Sequence, residues 1–179
     1  MSLVSIAREG SIAVVTIDNP PVNALGQALR QQLWDAVAAL DADAAVQAVL
    51  LICAGRTFIA GADVSEFGKP PVAPHLPDVV ARIEAAAKPW VAAIHGAALG
   101  GGFEVALGCR FRLALDSASV GLPEVGLGIV PGAGGTVRTP RVAGVAAAMV
   151  STGLMKPMSS MRSASSSTSS SRREKSTLP

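Results

Sequence analysis

The stretch Trp90-Val91-Ala92-Ala93-Ile94-His95-Gly96-Ala97-Ala98-Leu99-Gly100-Gly101-Gly102-Phe103-Glu104 decides the fold. It opens as an apolar, strand-like run from Trp90 to Ile94 and then passes through small residues and three consecutive glycines. It ends on a carboxylate in a helical pattern, Phe103-Glu104-Val105-Ala106-Leu107. A strand feeding a Gly-rich turn at a helix start leaves backbone N–H groups without intrahelical partners. Glycines there let a ligand approach the main chain. Glu104 falls in the first helical turn, beside those donors. The pattern suits a developing oxyanion with a general acid or base alongside it. It equally suits a tight connection whose glutamate is favoured by the helix dipole alone, so the rest of the chain has to decide.

Toward the N-terminus, Val46 to Cys53 is a continuous apolar run, the kind of strand buried on both faces. Gly55-Arg56-Thr57-Phe58-Ile59-Ala60-Gly61-Ala62-Asp63-Val64-Ser65-Glu66 follows it. Asp63 and Glu66, three residues apart, resemble a capping box opening a short helix. Ala60-Gly61-Ala62 is therefore a second small-residue turn at a helix start. Further upstream, Leu3–Ala7 and Ile12–Ile17 are β-type runs joined by Arg8-Glu9-Gly10-Ser11, which is hairpin chemistry. Pro20 and Pro21 end the second run. Leu29, Leu33, Val37 and Leu40 share one face of a helix from about Gln27 to Leu40.

Four prolines between Lys69 and Pro77 mark a loop. A helix from about Asp78 to Ala87 stops before Pro89. Toward the C-terminus, Phe111–Leu115 and Ser119–Gly121 read as short strands. Leu122-Pro123-Glu124 opens a Gly- and Pro-rich loop running to Thr136, with Glu124 its one carboxylate. Val142 to about Leu154 reads as an Ala-rich helix. Residues 159–179 are mostly serine followed by Arg172-Arg173-Glu174-Lys175. They read as a tail that is disordered or translated out of frame, because serine runs cannot repay ordering entropy. This divides the chain into a core over 1–158 and a tail over 159–179.

Half of the 179 residues are hydrophobic and 16% are charged, enough apolar material for one sizeable core. The net charge of +2 is concentrated in the tail, where Arg162, Arg172, Arg173 and Lys175 face Glu174. The core is then close to neutral and is not a nucleic-acid binder. Aromatic residues make up 3%, which excludes a base-stacking platform. Cys53 and Cys109 sit in apolar runs and read as buried free thiols of a reducing compartment. The N-terminus lacks a signal-peptide pattern, and no apolar run is long enough for a bilayer, so a cytoplasmic protein without membrane contact is expected. Two separated cysteines and two separated histidines make no metal site. Gly126-Leu127-Gly128-Ile129-Val130-Pro131-Gly132 fails as a dinucleotide fingerprint, since Pro131 falls where the helix should begin.

Taken together, Ala60-Gly61-Ala62-Asp63, Gly96 through Glu104, Leu122-Pro123-Glu124 and Pro131-Gly132-Ala133-Gly134-Gly135-Thr136 resemble the enoyl-CoA hydratase/isomerase (crotonase) superfamily in order and spacing. The resemblance runs from about Leu3 to Met158. Asn19-Pro20-Pro21-Val22-Asn23-Ala24-Leu25 and Phe67-Gly68-Lys69-Pro70-Pro71 look most like the hydratase domain of multifunctional fatty-acid oxidation proteins. In those a 3-hydroxyacyl-CoA dehydrogenase follows, which is not expected here.

The resemblance implies an α/β fold, a crotonase-like spiral of repeated ββα units. The C-terminal helices that close the acyl pocket in that family are expected to be replaced here by the Ser-rich tail. It implies trimers or pairs of trimers where that region is intact. It implies hydration of a trans-2-enoyl-CoA, with isomerisation of the double bond or an inactive truncated chain as the alternatives. In that scheme the N–H groups of Ala62 and Gly101 hold the thioester oxygen, and Glu104 and Glu124 flank one water. Ala24, Ala60, Gly61 and Gly132 contact substrate, Gly132 with an N–H near the second carboxylate. Coenzyme A is part of the substrate, so no separate cofactor and no metal are expected. Asp63 is expected to cap, His95 to pack or hydrogen-bond, and His75 to be exposed.

Overall fold

The computed structural model describes residues 2–144 and 156–157. Strands β1 (Val4–Glu9) and β2 (Ile12–Ile17) form the expected antiparallel hairpin. Helix α1 (Gln27–Ala42) buries Leu29, Leu33, Val37 and Leu40 on the face its periodicity predicts. Next come β3 (Ala48–Cys53), α2 (Leu76–Glu84), β4 (Trp90–Ile94), β5 (Ala97–Leu99) and α3 (Gly101–Gly108). The described chain closes with β6 (Phe111–Ala114), β7 (Ser119–Gly121), α4 (Gly135–Ala143) and β8 (Lys156–Pro157).

Two sheets organise these elements. The larger has the order β1-β2-β3-β4-β6, parallel from β2 onward. The smaller has the order β5-β7-β8, and isolated parallel bridges at Ile59–Ala98 and Leu25–Ala62 extend it on the β5 side. Parallel neighbours require a crossover, and each crossover here contains a short strand or bridge and then a helix. The units are β3, the Ile59–Ala62 segment and α2; then β4, β5 and α3; then β6, β7 and α4. Both sheets add members in chain order, so the chain winds as the expected spiral of ββα units.

One face of the larger sheet is core. Register pairs Ala13 with Val49 and Trp90 with Val49, and Val15 with Leu51 and Ala92 with Leu51, and all are buried. The opposite face carries Val14, Leu50, Val91 and Phe111, which are half-buried or exposed. Strand β3 is therefore alternately buried rather than buried on both faces, because no described element covers its outer side. Helix α3 is buried along its whole length. A Cβ at Gly102 would collide with the Ile59 carbonyl and side chain, so only glycine lets α3 lie against that segment.

Three local expectations change. Ala97–Leu99 is a strand, not part of the turn, because Ile59 on one side and β7 on the other complete its hydrogen bonds. Asp63 caps the turn Val64–Glu66 by accepting the Ser65 N–H at 2.9 Å, which also holds its carboxyl below the usual range. Glu66 does not complete a capping box, since its carboxylate is drawn instead to the start of α1. The Gly-rich loop ends in helix α4, and Gly144 terminates it with φ 79°. Val142 and Ala143 are thus the end of a helix, and the remainder of the helix expected to Leu154, like the 159–179 tail, lies outside the described residues. Cys53 and Cys109 are buried free thiols, and burial pushes Cys109 up to about 12.

Candidate active site

Burying a carboxylate is costly unless hydrogen bonds satisfy it. Glu104 sits in the first turn of the wholly buried α3 and is 2% exposed. Its Oε1 accepts the N–H groups of Ala133 and Gly135, each at 2.8 Å. Those two donors lie at the start of α4, so the loop after Pro131 folds over the carboxylate. Its other oxygen, Oε2, takes no hydrogen bond among the described residues.

Glu124 reaches the same place from a different support. It sits in the short 3-10 turn Pro123–Leu127, directly after β7, and its backbone carbonyl accepts from Gly128 and Ile129. Its side chain is 9% exposed. Oε2 is buried with no partner among the described residues. Burial, and next the charge of Glu104, holds this carboxyl above the ordinary glutamate range. Gly100, at φ 51°, packs so closely that a Cβ there would lie 3.0 Å from Glu124 Oε1.

Two backbone donors complete the arrangement. The N–H groups of Ala62 and Gly101 donate to no other group in the hydrogen bonds of the described residues. A Cβ built on Gly101 would be 3.8 Å from the Ala62 nitrogen, so the two positions are neighbours. Ala60, Gly61, Ala62, Gly101, Glu104, Glu124 and Gly132 all line one cavity of about 300 Å³. Its walls are otherwise apolar, with Leu76, Phe67 and Ile129 among them.

Ala24 is not brought into this cavity; its carbonyl instead accepts from Gly26 and from the Asn19 side chain. Gly132 lines the cavity, but the loop N–H groups that bind a carboxylate are those of Ala133 and Gly135, and they bind Glu104 rather than Glu124. His95 Nε2 lies 3.0 Å from the Gly55 carbonyl, His75 is exposed, and Arg56 is exposed. Among the described residues no group of His, Cys, Asp and Glu could hold a metal ion, and no helix is long and apolar enough to cross a membrane.

Several supporting residues carry no sequence signal strong enough to single them out. Glu66 Oε1 accepts the Gln27 N–H at 2.5 Å, and Oε2 pairs with Arg30 at 2.7 Å. Arg30 is buried and also donates to the carbonyls of Leu25, Val72 and Pro74. Asn23, at φ 55°, donates to the carbonyls of Ala54, Thr57 and Phe58. Asparagine tolerates that left-handed conformation better than most residues. Together these groups tie α1 to the Gly55–Glu66 segment, whose Gly61 carbonyl accepts from the Leu25 N–H at 2.9 Å.

Comparison with known proteins identifies the family. The family model described as enoyl-CoA hydratase/isomerase matches residues 7–164. A "Probable enoyl-CoA hydratase" of Bacillus subtilis (strain 168) is 42% identical over 166 residues, which are 89% of this chain and 64% of that protein. The "Peroxisomal bifunctional enzyme" of Danio rerio is 48% identical over 139 residues, 78% of this chain and 19% of that protein. The chain thus spans less than two thirds of either relative. A crystal structure of an enoyl-CoA hydratase from Bacillus anthracis superposes with a TM-score of 0.84 at 32% identity, covering 90% of this chain and 67% of that one.

Proposed function

The chain belongs to the enoyl-CoA hydratase/isomerase family, and on that premise we propose that it adds water across the double bond of a trans-2-enoyl-CoA to give the 3-hydroxyacyl-CoA. The observation that carries this reading is the convergence of two glutamates and two unengaged backbone N–H groups on one largely apolar cavity.

Water adds to an α,β-unsaturated thioester through an enolate-like state, in which negative charge grows on the thioester oxygen. With that oxygen between the N–H groups of Ala62 and Gly101, the donors strengthen as the charge develops, and losing one costs about 3 kcal/mol of transition-state stabilisation. Glu104 is the base in this scheme. Its Oε1 is fixed by two N–H groups, and Oε2 is free to take a proton from water as the water oxygen bonds to C3. Glu124 is the acid. Its raised pKa favours the protonated carboxyl, which gives its proton to C2. One proton is taken and one given, so the pair returns to its starting state by proton exchange. The acyl-CoA supplies the whole substrate, and no separate cofactor enters. The same reading makes the chain a cytoplasmic enzyme of fatty-acid β-oxidation, one that assembles as trimers or hexamers where the C-terminal region is intact.

The test is mass spectrometry of trans-2-butenoyl-CoA incubated with the purified chain. The expected result is catalytic gain of one water. Double-bond migration of a 3-enoyl-CoA with no hydration of the 2-enoyl isomer would replace hydratase by isomerase, and no reaction with either would refute both.

A further inference from the structure

A second cavity, of about 320 Å³, shares no lining residue with the first. It is enclosed by the C-terminal ends of α2 and α3, the start of β4, and the far end of α4. Five cations line it, Lys88, Arg110, Arg112, Arg138 and Arg141, against one carboxylate, Glu84. That carboxylate is already engaged: Arg138 binds both its oxygens, Nη2 at 2.6 Å and Nε at 3.2 Å. Lys88, Arg110, Arg112 and Arg141 have no carboxylate within ion-pair distance among the described residues.

The partial burial of Arg112 sets this apart from a solvated basic face. Arg112 is partly buried, and its Nη1 donates to the Cys109 carbonyl at 2.5 Å and more weakly to those of Ala106 and Leu107. A guanidinium removed from water with only carbonyls for company retains most of its positive charge unneutralised. Trp90 is 1% exposed and lines the same cavity, and its indole N–H is buried with no acceptor among the described residues. An anion in the cavity would neutralise the Arg112 guanidinium.

We propose that this cavity binds a phosphate-class oxyanion, either inorganic phosphate or the phosphate of a small monoester. Arginine forks match tetrahedral oxyanions with parallel N–H donors, and the excess of four cations calls for a dianion rather than a single carboxylate. The volume holds such a headgroup but not a folded partner. Nothing in the hydration chemistry requires the site, and it stands independently of that reading.

The experiment is calorimetric titration of the full chain with inorganic phosphate at constant ionic strength, repeated with adenosine 5′-monophosphate. The variants are Arg110→Ala/Arg141→Ala and, separately, Lys88→Gln. Wild type should show one saturable site for at least one of the two ligands. Each lost cation should weaken binding about tenfold, so the double variant falls about a hundredfold. Phosphate binding without the nucleotide assigns a free anion, and binding of both assigns a monoester. No saturable heat from either ligand overturns the proposal. So does unchanged affinity in both variants, since the anion would then sit elsewhere.

Discussion

Replacing Glu104 by glutamine and by alanine separates the two jobs assigned to it. Oε1 accepts two buried N–H groups at 2.8 Å, from Ala133 and Gly135. A glutamine amide oxygen in the same position keeps both bonds but without the charge. Bonds to a charged group contribute about 1.5–3 kcal/mol against about 1 for neutral pairs. Part of that difference is offset because no charge need be desolvated. Glu104→Gln should therefore cost about 1–2 kcal/mol, or about 2–8 °C in Tm for a chain of this size. Alanine leaves both N–H groups buried without an acceptor, at about 1–3 kcal/mol each, and opens a void beside α4, for about 3–6 kcal/mol in total. Both variants lose the proposed base, which should lower hydration by about 10²–10⁴-fold. The assay is the ultraviolet loss of the conjugated thioester of trans-2-butenoyl-CoA, paired with thermal melts. Wild-type turnover in Glu104→Gln would refute the base. A glutamine variant melting as low as the alanine variant would refute the account of Oε1.

Three further perturbations follow from the same geometry. A Cβ at Gly101 would lie 2.6 Å from Leu76 Cδ2, the end of a flexible side chain that can turn away, so Gly101→Ala should destabilise by no more than about 1 kcal/mol in thermal melts and keep the N–H in place; a loss of several kcal/mol would show the contact to be rigid. The Glu124 carboxyl is raised in the fold, so its contribution to stability is full below its ordinary value of 4.5 and is lost as pH rises through the folded value. Wild type should weaken relative to Glu124→Gln over that rise in urea titrations, and parallel stability curves would contradict the shift. Arg30→Ala removes donors from the Leu25, Val72 and Pro74 carbonyls and strands Glu66, for a loss of about 3–5 kcal/mol, with Arg30→Lys in between; equal denaturation midpoints for all three would show the clamp to be idle.

What could be read from sequence was what local chemistry dictates. Ile12–Ile17, Trp90–Ile94 and Ser119–Gly121 match the strands to the residue, the first two because their apolar runs are bounded by proline or polar residues. Ala97–Leu99 was not legible as a strand, since three small residues carry no β signal and the pairing comes from Ile59 and β7. Helix α4 was hidden by Gly134, Gly135 and Pro140, all of which argue for loop. It forms because Glu104 binds the Gly135 N–H at its start, a contact made across 31 positions of chain. The cavity residues from Ala60 to Gly132 were legible through their motifs, whereas Ala24 was placed by resemblance and lies outside the cavity. The supports were not legible: Glu66 looked like half of a capping box, and only the folded chain sets it 2.7 Å from Arg30.

The two glutamates show why residue type alone does not assign chemistry. Glu104 stands on a fully buried helix and is held by two N–H groups, and Glu124 stands on a 3-10 turn with one oxygen buried and unpartnered. Identical side chains are thereby placed in unlike surroundings, the condition under which one carboxyl keeps its proton while its neighbour accepts one. The difference depends on the loop that supplies the N–H groups. The Ala133 carbonyl is in turn held by Arg138 Nη1 at 2.7 Å, and the same guanidinium grips Glu84 at the end of α2. The arrangement of Glu104 is thus anchored through Ala133 and Arg138 to a helix that contributes no carboxylate to the cavity. Arg138 also lines the second, cationic cavity, so one side chain bounds that cavity and braces the loop that distinguishes the two glutamates.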